Sequence, residues 1–214
     1  MSIAIIADRA PSAGHWALVG GGEPVVSAAR EHPETLAEDL GELASVATTA
    51  EAIEACDVVI LAVWFDVMRD LIEQHKALLA GKVVIDPPNP IAVDERGQCS
   101  RTLPDEVSAG SVIAGSLPPG THHVKAFCAL GAPLLQQNAN RTPERAVVFH
   151  ATADTQAATA VEELITAAGF TPVKAGGLEA AIRLKAFGDL SARVLELADA
   201  RAAVDHPGPA GDRA

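Results

Sequence analysis

The residues suited to ligand work fall in five short segments: Ala7–His15, Gly20–Pro24, Ala62–Asp66, Asp86–Pro90 and Ala126–Gly131. Each is placed at or just beyond an apolar run, where ligands bind in doubly wound sheets, outside the carboxyl ends of the strands. Among them there is no nucleophile–base–acid set, and no His/Asp/Glu cluster has metal-ligand spacing. Hydride transfer between two bound rings fits that set, because it needs rings held face to face in a dry cleft rather than a side-chain acid or base. Trp64 ends an apolar run and either covers a core edge or borders such a ring. Gly20-Gly21-Gly22 reads as a tight turn, with a phosphate contact as the alternative.

The other polar residues have plainer readings. Cys128 reads as a small buried apolar residue, since no basic partner is visible for a redox thiol. His122-His123, after Pro118-Pro119-Gly120, reads as a polar loop. Lys125 reads as a strand lysine at a sheet edge, or else as a balance to a carboxylate or phosphate.

The elements that position these segments follow from periodicity. Strands are predicted at Ile3–Ile6, Trp16–Val19, Ser45–Ala47, Asp57–Val63, Lys82–Asp86, Val124–Phe127, Ala146–His150 and Thr171–Ala175. The wholly apolar run Val58–Val63 fits a central parallel strand covered on both faces. Thr48-Thr49-Ala50-Glu51 is a capping-box pattern for a short helix. Val67, Leu71, Ile72, Leu78 and Leu79 form a helical stripe that stops at Gly81. Asp154 is placed to cap a helix over Thr155–Ala168, with Gly169 after it. Strand–helix alternation of this kind predicts an α/β fold with a mostly parallel sheet. Asp86–Gly120 carries six of the 14 prolines and is expected to be mostly irregular, with a mobile lid over the site.

Charge and composition narrow the partners. The 214-residue chain has 16 Lys plus Arg against 28 Asp plus Glu, a net charge of −12. Such a surface repels nucleic-acid phosphates and anionic lipid. No apolar run reaches the roughly 20 residues that span a bilayer. The start, Met1-Ser2-Ile3-Ala4-Ile5-Ile6, lacks the basic region and cleavage site of a signal peptide, and the three cysteines are far apart. A soluble cytoplasmic protein with small-molecule partners is expected, with neither nucleic acid nor membrane involved.

Four stretches together resemble the NADP-dependent oxidoreductases that use coenzyme F420, a deazaflavin. Ala55-Cys56-Asp57 through Asp66 is similar to that family's fourth strand and loop, where proline usually stands at Trp64. Leu79–Asp86 followed by Asn89-Pro90 resembles its fifth strand and Asn-Pro turn. Val124-Lys125-Ala126-Phe127 resembles its Lys-Ala-Phe strand, with Cys128 where asparagine usually follows. Ala168-Gly169-Phe170 and Gly176-Gly177-Leu178 are similar to its last strand and exit. The similarity spans Ile3 to Leu190. It implies a Rossmann-type doubly wound, mostly parallel sheet, and hydride transfer between a nicotinamide dinucleotide (NADP or NAD) and F420 or a flavin. Ala62, Val63, Trp64, Asn89 and Ala126 would then line the rings, with Ala126 facing Trp64 across a narrow gap.

The amino-terminal part departs from the family. Its Gly-x-Gly-x-x-Gly positions fall on Ala7, Arg9 and Ser12, and only Ala7–His15 separates the first two predicted strands. That is short for a helical crossover, so the first strand would be displaced or antiparallel, or the pyrophosphate site would be gone. Where the family grips a 2′-phosphate with serine and arginine, this reading places Gly21 and Gly22, beside Glu23. It expects NADPH to bind no better than NADH, and neither tightly, unless the Gly20–Gly22 turn takes the phosphate role. The expected organisation is a dinucleotide-binding domain over 1–177 without its first crossover helix, a C-terminal helix over 178–204 and a disordered tail over 205–214. The helical segment Leu178–Ala203 would pack on the domain or on a second subunit of a homodimer. A second reading is a regulatory or binding protein that keeps the fold and has lost the dinucleotide. A third, a dehydrogenase or imine reductase, is disfavoured because only 37 residues follow Gly177.

Overall fold

The computed structural model describes residues 1–9, 25–31 and 43–208. Its large sheet contains β1 (Ile3–Arg9), β2 (Val25–Glu31), β3 (Ala44–Val46), β4 (Val58–Ala62), β5 (Val83–Asp86), β8 (His122–Ala126), β9 (Val147–Ala151) and β10 (Thr171–Gly176). The order across the sheet is β10-β9-β8-β5-β4-β1-β2-β3. All neighbours are parallel except β8 and β9. This is the mostly parallel α/β fold that the alternation predicted, of the Rossmann type that the resemblance implied.

Both faces of the sheet are covered, and strand alternation assigns the residues. Ile3, Ile5, Val58, Ile60, Val83, Ile85 and Val124 pack with Val161, Leu164 and Ile165 of the helix Thr155–Ala167. Ala4, Ile6, Val59, Leu61 and Val84 meet Ile53, Met68, Ile72 and Ile113 on the other face. Double coverage explains why β4 is apolar at every position. The predicted caps form: Thr48 and Glu51 make a reciprocal capping box, and the Asp154 side chain accepts from the Ala157 N–H. Gly81 and Gly169 adopt positive φ (77° and 84°), as the helix stops require.

The second strand is where sequence and structure part. β2 is Val25–Glu31, and it pairs with β1 in parallel from Ile3↔Val25 to Arg9↔Glu31. The segment proposed for this strand, Trp16–Val19, lies outside the described residues. Residues 10–24 therefore connect the two strands, a longer stretch than the roughly dozen residues a helical crossover needs. A displaced or antiparallel first strand is excluded by this pairing, and the expectation of a missing crossover falls on residues outside the described ones. β1 is an interior strand, flanked by β2 and β4.

Asp86–Gly120 is more regular than its prolines suggest. β6 (Ile91–Val93) and β7 (Cys99–Arg101) form an antiparallel ribbon, and a helix runs over Ala109–Ser116. The ribbon's turn is organised by Asp94, whose carboxylate accepts from the Arg96 and Gln98 N–H groups, with Gly97 at φ 78°. The Ser108 hydroxyl caps the helix. An unpredicted helix also covers Ala132–Asn138.

The segment after Gly177 was expected to be helical throughout. It instead forms a 3-10 turn (Leu178–Ala180), a short helix (Ala181–Leu184) and, after an irregular stretch, the helix Leu197–Asp205. Leu184, Leu190 and Ala200 pack with Phe149, Val173 and Ala175, so the segment's apolar side rests on its own sheet. Arg183 ties it together, bound to Asp189 and to the Ala203 and Val204 carbonyls at the end of the last helix. Gly188 lies against the Arg183 and Ile182 carbonyls, where a Cβ has no room. Gly188→Ala is expected to cost about 1–3 kcal/mol in urea unfolding, whereas an unchanged midpoint would mean that the turn relaxes freely.

Candidate functional site

Chain direction locates the crevice. From β1 the chain moves outward to β2 and β3, then returns to β4 on the other side of β1. The order of strands reverses between β1 and β4, and such switch points are where doubly wound sheets bind ligands. Ala7 of β1 stands opposite Ala62 of β4 at that end. Both residues at that position are small. After Ala62 come Val63, which is buried, and Trp64, which is 54% exposed. Trp64 is the N-cap of the helix Phe65–Gln74 and makes no side-chain cap bond. Phe65 anchors the start of that helix in the core.

The remaining predicted site residues are placed differently. Gly21 and Gly22 lie outside the described residues, and they precede β2 instead of following the second strand. The comparison that set them against a family serine and arginine therefore loses its basis. Ala126 is 0% exposed and belongs to the core beneath the sheet's end, so it does not face an open gap opposite Trp64. Enlarging it would disturb packing before it tested ring binding. Asn89 is at the exit of β5, with its amide used at both ends: Nδ2 donates to the Cys128 carbonyl (2.9 Å) and Oδ1 accepts from the Ala186 N–H (2.9 Å).

Sequence reading missed a buried charge cluster. Lys125 is an interior residue of a central strand rather than an edge lysine, and both it and Asp86 are 0% exposed. Opposite each other in the β5–β8 register, they form an ion pair of 2.7 Å. The Lys125 ammonium also donates to the Pro88 carbonyl. His123 is not in a loop but in β8, buried, with Nε2 3.4 Å from Asp86 Oδ2. His122 is bound through Nδ1 to Asp154 (2.8 Å). The signal was partly available: Asp86 closes the apolar run of β5 and Lys125 lies between Val124 and Ala126 in β8, and the two become informative only once the strands are known to be neighbours.

Electrostatics follow from this packing. Burial pushes the Asp86 carboxyl up, yet the Lys125 ammonium and then the His123 ring outweigh it, holding the carboxyl below its usual range. Burial drives the Cys128 thiol up to about 11, so it is inert as a thiolate, as the sequence suggested. Burial likewise lowers Lys185, whose ammonium is held by the carbonyls of Pro104, Asp105 and Val107. Among the described residues no group of His, Cys, Asp and Glu is arranged to hold a metal, and no helix is long and apolar enough to cross a membrane.

The ion pair yields a stability test. A depressed Asp86 pKa contributes stability that is complete above the unfolded value of ~3.9 and is lost as pH falls through the folded value. Lys125→Met strands a buried carboxylate and is expected to cost about 3–5 kcal/mol at neutral pH in urea unfolding. Adding Asp86→Leu should restore most of that loss. A lone Lys125→Met variant as stable as the parent would contradict the pairing.

Comparison with known proteins adds the family context. Residues 4–90 match the family model described as NADP oxidoreductase, coenzyme F420-dependent. No curated protein matches the chain. A hypothetical protein from Sinorhizobium meliloti is similar in structure at TM-score 0.80 and 26% identity, covering 92% of this chain and 95% of its own. A structure described as a putative F420-dependent NADP reductase from Arthrobacter sp. FB24 gives TM-score 0.70 and 21% identity, over 85% of this chain and 87% of that one. The imine reductase of Streptomyces aurantiacus gives TM-score 0.58 and 20% identity, over 84% of this chain and 58% of that one. From β1 to the Asn89-Pro90 turn, this Rossmann-type chain carries the sequence pattern of the coenzyme F420-dependent NADP oxidoreductases.

Proposed function

We propose that the chain is an NAD(P)-dependent oxidoreductase that moves a hydride between a nicotinamide dinucleotide and coenzyme F420 or a flavin. The observation that carries this reading is the family match over residues 4–90, because it spans β1, β2, β4 and β5, the strands that surround the switch point. A dinucleotide would lie across the carboxyl ends of β1, β2 and β4. Small residues at Ala7 and Ala62 suit its close approach, and the start of the helix Phe65–Gln74 offers N–H donors and the positive end of a dipole. The bound cofactors supply the hydride donor and acceptor. The chain's part is to hold the rings, with Trp64 at the rim and Val63 behind it, and to keep water out.

The family implies NADP, and the revised strand placement removes the objection to it. β2 ends on Arg30-Glu31, the position at which doubly wound folds meet the adenosine ribose. A cationic residue type at position 30 suits a 2′-phosphate, and the acidic type at 31 suits a ribose diol. NADPH is therefore the expected ligand. The reading of a regulatory protein without dinucleotide binding retains one supporting observation: Ala7, Arg9 and Ser12 at the family's glycine positions.

Titrating the fluorescence of Trp16 and Trp64 with each dinucleotide decides between the two. NADPH is expected to bind at or below about 0.1 mM and roughly tenfold tighter than NADH. Binding of neither dinucleotide would overturn the oxidoreductase reading and leave the regulatory one.

A further inference from the structure

Two bulky residues near the carboxyl end of the sheet adopt the left-handed backbone region. Phe127, directly after β8, has φ 62°, and Phe187, in the C-terminal segment, has φ 68°. Few side chains that size occupy this region, and surrounding contacts must hold them there. Both are flanked by a residue bonded to the same amide. Asn89 donates to the carbonyl of Cys128, next to Phe127, and accepts from the N–H of Ala186, next to Phe187. One side chain thus joins the exit of β5, the exit of β8 and a segment nearly a hundred residues later.

Neighbouring contacts converge on the same joint. Lys125 fixes the Pro88 carbonyl, one residue before Asn89. Lys185, one residue before Ala186, holds the 104–107 stretch through three carbonyls. The Arg101 guanidinium, from the ribbon, stacks 4.8 Å from the Phe187 ring centroid. Phe127 is buried in the core and Phe187 half-buried, so the two turns differ in exposure. The Asn89 amide already has a donor and an acceptor engaged by protein, which argues against the ring contact that the sequence suggested.

We propose that Asn89 is a positioning residue: its amide is a two-ended strap that holds the Phe127 and Phe187 turns as walls of the strand-end cleft. The inference rests on the hydride-transfer reading for its functional half. A strap of this kind acts on the geometry of the bound rings more than on their affinity, so its loss should fall on kcat and spare KM.

The test uses the whole chain as wild type, Asn89→Ala and Asn89→Asp. Aspartate keeps the acceptor for the Ala186 N–H but has no donor for the Cys128 carbonyl, so the two variants separate the two ends. Without ligand, hydrogen exchange at the Ala186 amide is expected to rise about tenfold or more in Asn89→Ala and to stay protected in Asn89→Asp. The Cys128 and Ala129 amides should loosen in both. With NADPH and F420 or flavin, kcat is expected to fall about tenfold or more in both variants while KM for NADPH changes less than about threefold. Exchange unchanged in Asn89→Ala overturns the strap. Altered exchange with kcat preserved, or a loss confined to KM, overturns the positioning role. A wild-type chain that transfers no hydride refutes the functional reading and the positioning role together, while exchange still decides whether the strap exists.

Discussion

Burial of Lys125 against Asp86 constrains the end of the sheet where ligands would bind. Both side chains are fully buried on one face of the sheet, and each needs the other there. An unpaired charge in that position costs several kcal/mol, on the order of 3–5 when one partner is removed. The pair therefore penalises any slip of β5 against β8, since a one-residue shift would send the two charges to opposite faces. Through the Pro88 carbonyl it also fixes the chain as it leaves β5. Hydrophobic residues of the same volume would pack as well, but they would not specify that turn.

From the turn outward, stability passes to single side chains that bridge distant segments. Asn89 joins β8's exit to the C-terminal segment, Lys185 joins that segment to the 104–107 stretch, and Arg183 closes the last helix onto it. Ser108 adds a bond to the Leu178 carbonyl (2.7 Å). Each is a polar anchor on otherwise small and irregular elements, which have too little apolar area to hold themselves in place. The cleft proposed for the cofactors thus has one rigid side, built from β1 and β4, and one side assembled from strapped loops.

The sequence revealed the parts of this molecule that rest on local patterning. Val58–Ala62 announced a central strand because both faces of the sheet are covered, and Thr48-Glu51 and Asp154 announced helix starts because a capping side chain acts within three residues. Trp64 drew attention because it follows such a strand, and it stands exposed at the exit of β4. What escaped depends on contacts across the chain. Nothing local distinguishes Lys125 as a buried partner of Asp86, or Asn89 as a strap to Ala186, before the strand order is known. The second strand was misplaced because Trp16–Val19 and Val25–Glu31 are both short runs containing apolar residues, and only pairing with β1 selects the latter. The expectations of a lost crossover and of a lost phosphate grip both rested on that placement.

A Rossmann-type sheet hosts many chemistries, so the claim that matters is where the dinucleotide lies. Hydrogen exchange of the whole chain, with and without saturating NADPH, tests it directly. The expected result is new protection at Val63–Asp66, around Trp64, and at Phe127–Cys128. The groove lined by Arg145, Thr159, Glu163 and Pro172, beside the β9–β10 edge of the sheet, should be unaffected. Protection confined to that groove, with none at Val63–Asp66, would contradict a cofactor site at the β1–β4 switch point.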